Sequence, residues 1–342
     1  MTEGKKAGPF IKWVGGKRNL LPDLLARLPG AFKTYHEPFI GGGALFFEIA
    51  DRVESALLAD TNSALVTTYY VIKREPKALM ALVDKHARQH SDEYYYRIRS
   101  QHDLQDPLKI AARFLYLNKT CYNGLYRVNK QGQFNVAVGR YVNPTIYRED
   151  NLLACSEVLR KVKIELRDFE TVEAESGDFI YCDPPYHPLD SASFTKYAKL
   201  DFTEEDQTRL RDYVLRMHKK GAQVMVSNSD TTFIRELYSS PIFTAAVVQA
   251  PRFVNCKPGK RNAINELLIT TYGIEKAREG ARDAQGRFLP APVPARIIPL
   301  GKAPQASALP PSVRPRGPGA AKARHGNAGK ATRAHDLYED GL

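Results

Sequence analysis

Apolar positions along the chain gather into short runs at residues 35–40, 55–59, 163–167, 178–182, 222–227, 244–250 and 266–272, several of them separated by stretches with helical spacing. Near-continuous apolar runs alternating with helices predict a largely parallel sheet with helices on both faces, an α/β fold. Residues 203–219 exemplify a crossover helix. Thr203 suits the N-cap, Glu204 to Asp206 complement the positive first turn, Leu210, Tyr213, Val214 and Met217 share one face, and Gly221 ends it.

Between the second and third runs the rhythm changes. Leu79, Leu82 and Val83 mark one helix, and Leu108, Ala111, Ala112 and Leu115 another, with no comparable β-run between residues 75 and 160. This predicts a mainly helical insertion at 75–160, beside a sheet domain made from 1–74 and 161–275. After Tyr272 large apolar residues nearly vanish and nine of the 22 prolines appear, so residues 276–342 read as a mostly disordered tail whose basic residues chiefly keep it soluble.

Composition narrows the picture. With 342 residues and 43% hydrophobic content the chain can bury a core without staples. Cys121, Cys155, Cys182 and Cys256 include no close pair, which argues against a zinc site or a disulfide framework, so no metal is expected and a reducing cytoplasm fits best. No apolar run reaches 18 residues, and the opening MTEGKKAGPF lacks the apolar centre of a signal peptide, so membrane insertion is not expected. The formal charge of +12 favours a polyanionic partner. Because residues 275–342 carry 12 Lys and Arg against 6 Asp and Glu, the remaining body is only mildly basic, at +6.

The candidate chemistry lies at the ends of these runs. DFIYCDPPY, residues 178–186, sets Asp183, Pro184, Pro185 and Tyr186 at the carboxyl end of a buried strand, where an open sheet meets its crevice. A carboxylate, a carbonyl fixed by consecutive prolines and an aromatic face suit a flat base with an exocyclic amine. Alone, the tetrad reads equally well as a turn. Two companions favour chemistry. EPFIGGGALFFEI, from Glu37, makes a strand, a glycine turn at Gly41 to Gly43 and a helix N-terminus, and LLAD places Asp60 where an acid suits a ribose diol. Upstream, FIKWVGGK puts Trp13, the one tryptophan, between Lys12 and a glycine turn before Lys17; the ring either fills the core or lies near a ligand. Between Lys119 and Tyr141, Tyr122, Tyr126 and Phe134 are interleaved with Arg127, Lys130 and Arg140 and with asparagines, which offers stacking faces, phosphate partners and amide forks. Lys130 to Gln133 is a good hairpin turn.

These segments, in this order, resemble the Dam-type DNA adenine-N6 methyltransferases across about residues 9–273. The stretch LNKTCYNGLYRVNKQGQFNVAVGRY resembles their DNA-reading hairpin and loop, and SNSD at 227–230 and NELLITTY at 265–272 resemble their closing strands. The resemblance implies a Rossmann-like methyltransferase sheet with an inserted DNA-recognition domain, acting as a monomer on double-stranded DNA, with GATC the usual target. It implies that Trp13, Lys17, Phe39, Gly41, Gly43, Asp60 and Asp183 line an S-adenosyl-L-methionine pocket, and that Asp183, Pro184 and Tyr186 hold adenine. On the DNA side it implies contacts from Lys12, Lys119, Tyr122 and Asn123, and from Leu125, Arg127, Arg140 and Tyr141. Methylation of RNA or of a protein glutamine, and a DNA-binding relative without chemistry, are the competing readings; the hairpin argues against the first and the intact tetrad against the second.

Overall fold

A computed structural model describes residues 6–189, 202–250, 264–273 and 296–298. Among the described residues, eight strands form one sheet in the order β3-β2-β1-β4-β5-β7-β6-β8. The strands are β1 Thr34–Glu37, β2 Ser55–Asp60, β3 Val162–Leu166, β4 Phe179–Cys182, β5 Gln223–Ser229, β6 Thr244–Ala250, β7 Ile264–Thr270 and β8 Arg296–Ile298. The first five run parallel, whereas β7 is antiparallel to β5 and β6, and β8 to β6. All seven predicted runs thus appear as strands. The eighth falls inside the stretch read as a disordered tail: Arg296 to Ile298 pair with β6, a three-residue contact too short to stand out by periodicity. Cys256 and the rest of that tail lie outside the described residues.

Nine α-helices are described: α1 Leu21–Leu25, α2 Ala44–Ile49, α3 Ser63–Arg74, α4 Pro76–Arg88, α5 Asp92–Arg99, α6 Pro107–Thr120, α7 Glu149–Leu159, α8 Glu204–Lys219 and α9 Thr232–Leu237. α8 begins at the expected cap: the Thr203 hydroxyl accepts from the Asp206 N–H, and the Asp206 carboxylate accepts from the Thr203 N–H, a capping box. Gly221, at φ +90°, then turns the chain toward β5.

β4 is buried at every position, and its residues alternate between two cores. Phe179 and Tyr181 face a cluster that runs without a break from α2 and α3 into α4, α5 and α6, while Ile180 and Cys182 face α8 and α9. Residues 75–160 are mainly helical, as predicted, but their core is continuous with one face of the sheet. The expected hairpin at 117–141 is sparse, with single antiparallel bridges at Cys121 and Val138 and at Val128 and Phe134. Its turn is tied by Asn129, whose side-chain oxygen accepts from the N–H groups of Gln131 and Gln133.

Candidate active site

Strand order reverses between β1 and β4: the chain leaves β1 outward to β2 and β3, and leaves β4 the other way to β5. The loops at their carboxyl ends diverge, which opens the crevice where ligands of such sheets bind. EPFIGGG exits β1 and DPPY exits β4 at this point.

Register brings the polar partners to Asp183. Cys182 lies opposite Val226, so the next residues, Asp183 and Ser227, are neighbours, and the Ser227 hydroxyl donates to Asp183 Oδ1 at 2.8 Å. Ser229 lies opposite Glu266 on β7, whose Oε2 accepts from the Tyr186 hydroxyl at 2.8 Å. Lys17 completes the corner. Its Nζ is 2.7 Å from Asp183 Oδ1 and 4.5 Å from the centre of the Tyr186 ring, and it also donates to the Gly15 carbonyl. Pro184 is buried between these groups in sequence, and Pro185 is exposed.

The glycine turn packs on the tryptophan. Gly41 (φ +43°) has its open side 2.6 Å from the Trp13 indole, measured from where a Cβ would stand, so only glycine lets the two touch. Its N–H donates to Asp60 Oδ2 while Asn62 N–H donates to Oδ1. Burial raises the Asp60 carboxyl above its ordinary range, opposed by those N–H donors. Gly43 (φ +65°) caps α2, but its open side meets the Tyr69 hydroxyl, so its missing side chain answers a packing need inside the protein. Trp13 is half-buried, stacked on Tyr126 at 5.5 Å and against Phe114. The ring therefore packs within the protein while bordering the glycine turn. Phe39 packs instead with the core that holds Ile180 and Cys182, stacked on Phe169 at 5.2 Å.

Sequence reading missed several polar residues here. Glu37, the last residue of β1, is buried beside Asp183 and Lys17 and accepts from the Tyr35 hydroxyl at 2.8 Å; burial pushes its carboxyl well up. Burial likewise raises Glu266, opposed by Lys17 and by the Tyr186 hydrogen bond. Ser227, Asn228 and Ser229 are buried at the end of β5. The available signal was an unusually polar end, SNS, on an otherwise apolar strand, because polar side chains are buried only with partners.

Several of the residues assigned to DNA gather around Lys12. Lys12 is pinned by Asn118, whose amide accepts from the Lys12 N–H at 2.9 Å and donates to its carbonyl at 2.7 Å. Its ammonium reaches the Tyr141 hydroxyl at 2.9 Å, and its stem crosses Gly124, where any side chain would overlap it. Tyr122, Asn123, Arg127 and Arg140 are exposed, and Leu125 and Tyr141 half-buried. Arg127 is held across the hairpin, with Nε donating to Asn135 Oδ1 at 2.8 Å. Lys119 is pushed down to about 8, first by burial and then by Lys12, Arg18 and Arg148. Arg18 and Arg148, not foreseen from sequence, thus join a basic corner suited to a phosphate. Among the described residues no group of three or more His, Cys, Asp or Glu is placed to hold a metal, and no helix is long and apolar enough to cross a membrane.

Comparisons with known proteins identify a family. Residues 13–252 match the profile of the D12 class N6 adenine-specific DNA methyltransferases. The chain is 42% identical over 275 residues to Type II methyltransferase M1.LlaDCHI of Lactococcus lactis subsp. cremoris, covering 78% of this chain and 95% of that protein. It is 42% identical over 287 residues to Type II methyltransferase M.MjaIII of Methanocaldococcus jannaschii, covering 77% and 99%. It is 37% identical over 270 residues to a DNA adenine methylase of Vibrio cholerae serotype O1, covering 77% and 96%.

Proposed function

Because the chain belongs to the D12 class of N6 adenine-specific DNA methyltransferases, we propose that it moves a methyl group from S-adenosylmethionine to the N6 of an adenine turned out of duplex DNA, within GATC. One observation carries this reading: Lys17 holds a nitrogen donor within hydrogen-bond reach of Asp183 and over the Tyr186 ring, the arrangement that an adenine amine needs for the same two partners.

The residues present fit the cofactor. The Gly41 turn, packed on Trp13 just before α2, allows a close backbone approach, and Asp60 at the end of β2 suits a ribose diol. When bound, the cofactor supplies a methyl group already activated by its sulfonium charge. The protein must therefore orient and localise charge. An adenine amine is a weak nucleophile because its lone pair is delocalised into the ring. Asp183 Oδ and the Pro184 carbonyl accept its two N–H bonds, draw the lone pair out of conjugation and aim it at the methyl carbon. Tyr186, its hydroxyl held by Glu266, stacks on the base. Asp183 stands ready to receive the proton that the amine loses after transfer.

A paired adenine cannot reach a corner at the bottom of a crevice, so the base must leave the stack. Tyr122, 51% exposed on the DNA-reading loop, fills the vacated space. Residues 75–160 carry most of the target-reading surface, and Lys12 adds to it from the N-terminal segment. The test is to sequence N6-methyladenine in the DNA of a methylation-deficient host expressing this chain. Methylation of GATC adenines is the expected result. A different consensus would overturn the specificity, and no methyladenine would overturn the activity.

A further inference from the structure

Two buried amides and two backbone groups form an unbroken chain behind the DPPY corner. Gln207 on α8 donates from Nε2 to the Pro185 carbonyl at 3.0 Å, and its Oε1 accepts from Asn228 Nδ2 at 3.0 Å. Asn228 Oδ1 accepts from the N–H of His187 at 3.1 Å and from that of Ser229 at 2.9 Å. Both side chains are fully buried. Their orientation follows from the ends of the chain: a carbonyl only accepts and a backbone N–H only donates, so each amide has one consistent placement of its oxygen and nitrogen.

The two end groups flank Tyr186. The Pro185 carbonyl belongs to the peptide before it and the His187 N–H to the peptide after it. Holding both peptide planes sets the backbone angles of Tyr186, while Glu266 holds its hydroxyl. His187 is secured as well, with Nε2 3.2 Å from Glu204 Oε1, Nδ1 3.1 Å from Thr231 Oγ1, and its ring stacked on Phe233 at 4.8 Å.

We propose that Gln207 and Asn228 are positioning residues for methyl transfer, a relay that sets the pose of Tyr186 and of the adjoining Pro184 carbonyl from behind. The proposal rests on the adenine-methylation reading above. A small rotation at Tyr186 would tilt the stacked base and misalign its amine, and misplacement by about 1 Å costs on the order of 10²-fold in rate. Gly41, Trp13 and Asp60, proposed to hold the cofactor, share no hydrogen bond with the relay, so cofactor affinity should persist.

Gln207→Glu and Asn228→Asp test this in the full-length protein. Each keeps the shape and the accepting oxygen but replaces the donating nitrogen by a carboxylate oxygen, which faces the Pro185 carbonyl or Gln207 Oε1. Each donor returns when the new carboxyl is protonated. The expected result is a roughly 10²-fold lower kcat at neutral pH, calorimetric S-adenosylmethionine affinity within about twofold of wild type, and recovery of activity relative to wild type as pH falls. Folded variants with near-wild-type kcat and a wild-type pH profile would overturn the proposal. So would failure of both variants to fold, which would make the relay a prop of the core. An inactive wild type on adenine-containing DNA would instead sink the underlying reading, a result distinct from either.

Discussion

The ammonium of Lys17 and the carboxylate of Asp183 meet at 2.7 Å, with side chains 7% and 20% exposed. The carboxylate proposed to be catalytic is thus already paired with a resident cation. That same cation lies against Tyr186, so a base that claims both partners must displace it. Lys17 is long and flexible enough to turn away, and the Gly15-Gly16 turn before it gives the backbone room.

Asp183→Ala removes the proposed acceptor for the target amine and is expected to lower methyl transfer from labelled cofactor at least ~10²-fold. It also leaves Lys17 with the Gly15 carbonyl and the Tyr186 ring, at a stability cost of about 1–3 kcal/mol. Near-normal turnover in a folded variant contradicts the assignment.

Gly41→Ala drives a Cβ into the Trp13 indole at a residue with φ +43°. Overpacking and the left-handed backbone together predict about 1–3 kcal/mol of destabilisation. Trp13 is the only tryptophan, so its displacement is read directly as a shift of fluorescence emission, accompanied by weaker cofactor binding. An unchanged spectrum and melting temperature would refute the close packing.

Arg127→Ala distinguishes base reading from phosphate contact. If Arg127 leaves Asn135 to fork onto a base edge, discrimination among target sequences falls by about 1–3 kcal/mol while binding to unrelated DNA changes little. A uniform loss across sequences, with a shallower salt dependence, would identify a phosphate contact instead.

Lys119 gives a pH signature. Burial and its basic neighbours lower its ammonium to about 8 in the free protein. A phosphate favours the charged form, so binding takes up a proton and DNA affinity should fall as pH rises through about 8. In Lys119→Arg the charge persists to higher pH and this decline should disappear. Parallel pH profiles for the two proteins would show that Lys119 meets no phosphate.

Much of the molecule was legible without coordinates, for a physical reason. Local patterning specifies strands and helices: a buried parallel strand must be apolar along its length, and a capped helix announces itself, as Thr203 and Gly221 did. Motifs that need one backbone geometry, such as GGG at 41–43 and DPP at 183–185, also carry their meaning in adjacent residues. Strand neighbours are a different matter. Nothing within a few positions of Asp183 tells that Ser227 will stand beside it, or that Glu266 will hold Tyr186. Those contacts follow from β4 pairing β5 and β5 pairing β7, with register set by long-range packing of both faces. The same is true of the Gln207–Asn228 relay, the basic corner of Lys12, Arg18, Lys119 and Arg148, and the short pairing of Arg296–Ile298 with β6. The chain encodes its elements and reactive groups locally, whereas the company each group keeps is fixed by distant segments burying apolar surface together, and that company governs charge and orientation at the site.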